Sequence, residues 1–227
     1  MNILWEGFTL QWYGSFFENR TLMDALWISL EIAVASTAIS TIVGTLGAVG
    51  FRKYNFRGKN LIDQLLYIPV VIPEIILAVA LLCIYSVLNI PLGVGTITLS
   101  HATFCIPFVV ISVRARLAGF EDCLEEAAMD LGANRFVTFV RIVLPLIMPG
   151  VASGALLSFS LSMDDVVISY FVTGPGSTTL PVKILSMVKT GVTPEVNALS
   201  SIIMLVMIII ISLNAGMQVK RLKAKKH

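Results

Sequence analysis

Residues 126–145 read EAAMDLGANRFVTFVRIVLP, a polar island between apolar runs that are each long enough to cross a bilayer. The stretch holds Glu126, Asp130, Arg135 and Arg141, with Gly132 inside it and Pro145 at its end. Just upstream and through it, Leu117, Phe120, Leu124, Ala127, Ala128 and Leu131 recur at helical spacing, while Glu121, Asp122, Glu125 and Asp130 take other faces. Gly132 is placed to stop one helix. Asn134 is placed to cap a second short one, carrying Phe136, Phe139, Val140 and Val143. The spacing therefore predicts two short amphipathic helices joined by a bend at Gly132. Their apolar faces need a cover, and amphipathicity leaves two open: the membrane surface, or a partner protein taking a helix into a groove.

The surroundings of the island fix the class of protein. Of 227 residues, 56% are hydrophobic and 13% charged, which is too little charge for a soluble domain of this length. The apolar residues fall in five blocks, at about 25–50, 62–88, 93–113, 146–171 and 196–217, close to the ~20 residues that a helix needs to cross hydrocarbon. The predicted fold is an all-α polytopic membrane bundle in one domain, residues 1–227, with a loop at 114–145. A net charge of +2 gives no basis for a nucleic-acid partner; the partner that the apolar blocks imply is lipid. Basic residues cluster after the first span (Arg52, Lys53, Arg57, Lys59), between the third and fourth (Arg114, Arg116, Arg135, Arg141) and after the fifth (Lys220, Arg221, Lys223, Lys225, Lys226). By the positive-inside rule these places are cytoplasmic, which puts the loop and the C-terminus inside and the N-terminus outside.

The order of residues in the island then carries a resemblance. Glu126-Ala127-Ala128, three residues, Gly132, nine residues, Ile142, one residue and Leu144-Pro145 is similar to the EAA loop of bacterial ABC importer permeases. The stretches WEGFTLQWY (5–13), YNFRGK (54–59), SHATFCIPFVV (100–110), LSFSLSMDDVVISYFVTGP (157–175) and LPVKILSMVKTGVTPEVNAL (180–199) narrow it to the permeases of spermidine/putrescine importers, across essentially the whole chain. The resemblance implies a subunit of the bacterial inner membrane that imports polyamines by alternating access. It implies that Glu126, Ala127, Ala128, Gly132, Ala133, Ile142, Leu144 and Pro145 couple the spans to a separate ATPase dimer, with Glu126 as the charged contact. ATP and Mg would be bound by that ATPase. This chain has no GxxxxGK[ST] phosphate loop and is expected to be non-catalytic. Further implied partners are a second, homologous permease and an extracytoplasmic polyamine-binding protein. Permeases of this kind have one more helix ahead of the 5–13 region, so a lost first helix is an expectation too.

Acids inside apolar blocks are the candidates for a cation path, since each costs about 2.5–3.5 kcal/mol at mid-membrane unless it faces a cavity or a partner. Asp164 and Asp165 lie within the fourth block. Neighbours on a helix diverge by about 100°, so one can face a path while the other meets a helix; an interhelical polar pair, helped by Ser158, Ser160, Ser162 and Ser169, is the alternative. Glu74 lies within the second block beside Pro69 and Pro73, which predict a kink. A cavity wall or a bond to backbone freed by the kink would each account for it. Glu195 sits at the outer mouth of the fifth block, as a first-turn acid favoured by the helix dipole or as part of a gate. Glu31 lies towards the outer end of the first block.

Other residues point to packing. His101 has no second ligand at helical spacing, which argues against a metal and for a hydrogen-bonded packing role. Cys83, Cys105 and Cys123 lack CxxC spacing and read as small packing residues. Trp5, Trp12 and Tyr13 read as interfacial anchors. Residues 173–195 hold a short amphipathic stretch, to lie against the outer surface near a delivery protein or to form a packed turn. Two other functions compete: an ABC permease for a metal ion, oxyanion or phosphonate, and an ion-coupled transporter or channel, for which inverted repeats would be expected.

Overall fold

The computed structural model describes residues 11–119, 123–190 and scattered helical positions between 197 and 212. The described chain is helical, with α1 (Gln11–Glu18), α2 (Arg20–Lys53), α3 (Lys59–Leu66), α4 (Ile68–Val71), α5 (Glu74–Val87), α6 (Val94–Leu117), α7 (Cys123–Asp130), α8 (Arg135–Thr138), α9 (Leu144–Asp164), α10 (Val167–Val172) and α11 (Leu180–Thr190). Among the described residues, α2, α6 and the run Arg135–Asp164 are each long and apolar enough to cross a membrane. The chain is an integral membrane protein. The expected fifth span, 196–217, falls mostly outside the described residues, as does Glu195.

Among the described residues three long helices make the bundle. The Asn19 carboxamide caps α2 by accepting from the Leu22 amide, and Arg52 and Lys53 sit in its last turn, where cations suit the dipole. Small residues let the backbones approach, as membrane helices require in the absence of a hydrophobic drive. A Cβ on Gly44 would lie 2.7 Å from Val109 Cβ, and one on Gly154 would lie 3.1 Å from Val109 Cα. Around these contacts Ala48, Val109, Val110, Val113, Leu117, Val143 and Ile147 form one half of the core. A second cluster of Ile32, Ala78, Leu81, Tyr85, Ile97, Ile168 and Val172 joins α2, α5, α6 and α10.

The second span is broken rather than kinked. Lys59–Val71 and Glu74–Val87 meet at 113°. Pro73 supplies no amide, and Ile72 before it is extended (ψ 138°), the conformation that a following proline favours. The first half, Lys59–Val71, is tied down by Arg114, which ion-pairs with Asp63, donates to the Tyr67 hydroxyl at 3.2 Å and stacks 5.0 Å from the Phe51 ring centroid.

The fourth span also departs from expectation. Its helix ends at Asp164 and a new one starts at Val167, with Asp165 extended between them (ψ 124°). At the start of this span, the second helix of the island is no separate helix. After α8 the chain passes through a π turn, Phe139–Val143, into α9. Pro145 cannot donate to the carbonyl four residues back, and the ladder slips, so that the Leu144 amide bonds Phe139 five residues back.

Candidate functional site

The island folds around Gly132, which takes φ +88°, in the left-handed region that Gly adopts without strain. The Gly132 amide closes on the Met129 carbonyl and the Ala133 amide on Ala128. Asn134 then caps α8, its side chain accepting from the Val137 amide at 2.8 Å. Glu126 and Ala127 are exposed and Ala128 half-buried on α7. Ala133 and Ile142 are half-buried, and Leu144 and Pro145 open α9. Among the described residues these apolar positions are uncovered: Leu131 is 91% exposed and Phe136 74%. Next to Glu126, Glu125 is held internally, ion-pairing with Lys53 at the end of α2.

The membrane acids are brought together at the two helix breaks. Glu74 is the first residue of α5 after the 72–73 break, and α10 packs on α5. Glu74 thereby lies against Asp165 and within electrostatic reach of Asp164. Proline accounts for the break in the second span. The break in the fourth is made by a side chain: Asp165 accepts from the Ile168 amide at 3.1 Å and from the Ser169 amide at 2.7 Å, as a helix-capping carboxylate does. An Asp followed three and four residues later by the first amides of a new helix is a start signal, and it was available in DDVVIS (164–169) despite the apolar context.

Asp164 and Asp165 play different parts. Asp164 is exposed and Asp165 buried. The Asp165 carboxylate meets His101 Nε2 at 2.9 Å, with Ser169 Oγ 3.0 Å from the same nitrogen. His101 Nδ1 lies 2.7 Å from Ser162 Oγ, and Ser36 donates to Ser162 at 3.1 Å. His101 is therefore hydrogen-bonded through both ring nitrogens. Of the serines singled out with the pair, Ser162 and Ser169 enter this network. Cys105 is buried, but Cys83 and Cys123 are exposed rather than packed inside.

Helix α11 packs through Leu180 onto Leu22 and Ala25 of α2, and the Leu180 amide donates to Ser29 Oγ at 2.7 Å. Between them opens a cleft of about 600 Å³ lined by Asp24, Tyr170, Lys183 and Lys189 among others. Residues 180–190 are thus a packed helix bordering an open cleft. Trp12 lies in α1, and Trp5 lies outside the described residues.

Comparison with known proteins places this geometry. The family described as "Binding-protein-dependent transport system inner membrane component" matches residues 14–224. The spermidine/putrescine transport system permease protein PotC of Escherichia coli K12 is 47% identical over 92% of this chain and 79% of its own length. The putrescine transport system permease protein PotI of the same strain is 40% identical over 88% of this chain and 74% of its own. A putative 2-aminoethylphosphonate transport system permease protein, PhnV of Salmonella paratyphi A, is 29% identical over 83% and 72%. Among solved structures, a bacterial ABC transporter that imports the polysaccharide alginate aligns with a TM-score of 0.73 at 16% identity, covering 93% of this chain and 84% of that one. A methionine ABC transporter, MetNI, aligns with 0.66 at 17%, covering 89% and 95%.

Proposed function

We propose, from the premise that this chain belongs to the binding-protein-dependent transport inner-membrane components, that it is the permease half of an ATP-driven importer of polyamines. The observation that carries the cargo is the meeting of Glu74, Asp164 and Asp165 at two facing helix breaks. Carboxylates crowded together within a membrane repel one another and call for positive charge between them, and a flexible polycation supplies it. Transporters commonly place sites where spanning helices are interrupted near the bilayer midplane. The polyamine permeases among the relatives support the same cargo.

The chain would do no chemistry. ATP and Mg would be held by a separate ATPase dimer, and α7 with the Gly132 bend would seat in a cleft of that partner. The uncovered Leu131 and Phe136 and the exposed Glu126 support this use of the loop, 114–145, with the loop and the C-terminus in the cytoplasm. A second, related permease would complete the path. An extracytoplasmic binding protein would deliver cargo to the outer face, where the α2–α11 cleft opens. Closure of the ATPase pair would push α7, and the connected α8–α9 run would carry that motion towards the Asp165 break. Cargo would be held weakly enough to leave on the other side.

One relative favours a second reading, an aminophosphonate cargo. Its phosphonate anion would meet three carboxylates, which counts against it. The test is ATP-dependent uptake of labelled spermidine by the reconstituted complex with unlabelled putrescine or 2-aminoethylphosphonate in excess. Competition by putrescine alone supports the proposal, and competition by the phosphonate alone refutes it.

A further inference from the structure

Asp165 has spent its acceptor capacity inside the protein. The Ile168 and Ser169 amides, the Ser169 hydroxyl and His101 Nε2 supply donors for about the four lone-pair positions that a carboxylate offers. Among the described residues Glu74 meets only the Asp165 carboxyl, within hydrogen-bonding reach, and Asp164 is exposed. Of the three acids, Asp165 is thus the least able to take an ammonium group and the most firmly held.

The bond directions around His101 are self-consistent. With Nε2–H given to Asp165, Nδ1 is the acceptor and receives the Ser162 hydroxyl at 2.7 Å. Ser162 in turn accepts from Ser36 at 3.1 Å. One imidazole thereby joins α2, α6, α9 and α10 around the break. We propose that His101 is a positioning residue for cargo recognition: it pins Asp165 into the break between α9 and α10, and so aims Asp164 and Glu74 at the path. The proposal rests on the polyamine reading above.

The test is spermidine uptake by the complete complex in liposomes, comparing His101→Gln, His101→Asn and His101→Phe. A Gln amide reaches the place of Nε2 and can donate to Asp165. An Asn amide ends near Nδ1 and falls short, and Phe keeps shape alone. Expected is a KM for Gln within about threefold of the unaltered complex, and for Asn and Phe a rise of about tenfold or more, the scale of one charge-assisted hydrogen bond, with Vmax little changed. Equal KM values for Gln and Asn overturn the proposal even if Phe fails to assemble. Failure of all three to assemble also overturns it, marking His101 as a residue of stability only. An unaltered complex that takes up no spermidine refutes the cargo reading and this proposal together, and is told apart because it appears before any substitution.

Discussion

His101 Nε2 and the Asp165 carboxylate lie 2.9 Å apart with both side chains almost wholly enclosed, 2% and 1% exposed. The adjacent Asp164 is exposed. Two successive aspartates have thus been given opposite environments by a single helix break, and their substitutions should differ in kind.

Asp165→Asn turns an acceptor-only carboxylate into an amide with its own donor, facing groups that also donate. A buried network left partly unsatisfied costs about 1–3 kcal/mol or more. The expected result is a lower melting temperature of the purified complex. Asp164→Asn should leave melting unchanged and raise the KM for spermidine. Equal melting temperatures for the two variants would count against the separation of roles.

Gly132 has open space where a Cβ would go, but its φ is +88°. Only backbone strain should therefore matter. Gly132→Asn, a residue that visits this region, should keep ATPase association. Gly132→Val, which pays about 1–2 kcal/mol there, should weaken it in pull-down of the ATPase by the permease. Equal recovery with both variants would show that the left-handed bend is not what the partner reads.

Glu125 pairs with Lys53 whereas Glu126 is exposed, so under the proposed coupling role their substitutions should differ. Glu126→Lys should lower transport and ATPase recovery while leaving the melting temperature alone. Glu125→Lys should be restored by Lys53→Glu, because the charge pair re-forms. The gain is small, since partly exposed pairs contribute about 0–1 kcal/mol. Rescue of Glu126→Lys by the same Lys53→Glu change would invert the assignment.

Gly44 faces Val109 at a distance that admits no side chain. Gly44→Val should destabilise the α2–α6 contact by about 1–3 kcal/mol, the usual cost of overpacking, read as lower yield and melting temperature in detergent. Gly50→Val, where nothing lies within 4 Å of a Cβ, is the control and should show no such loss.

Much of this was legible beforehand. The apolar blocks at 25–50 and 93–113 became α2 and α6, because length and hydropathy alone decide a helix that lipid forces to satisfy its own backbone. The Gly132 bend and Asn134 cap were readable because they depend on local chemistry. The 113° break was underestimated as a kink: a proline states that the ladder stops but not how far the chain turns, which tertiary contacts such as Arg114 with Asp63 decide. The break at Asp165 was missed because an apolar run long enough to span reads as one helix. Its cause is a side chain capping amides, stabilised by a histidine 64 residues away. The pairing of Glu74 with that break depends on α5 packing against α10, which no local pattern encodes.

The most direct measurement of the central claim is ATP-dependent spermidine uptake by the reconstituted complex with Glu74→Gln and Asp164→Asn, singly and together. The account predicts a raised KM for each and a larger rise for the pair, with the complex assembled and ATP still hydrolysed. Unchanged affinity and rate in the assembled double variant would contradict it.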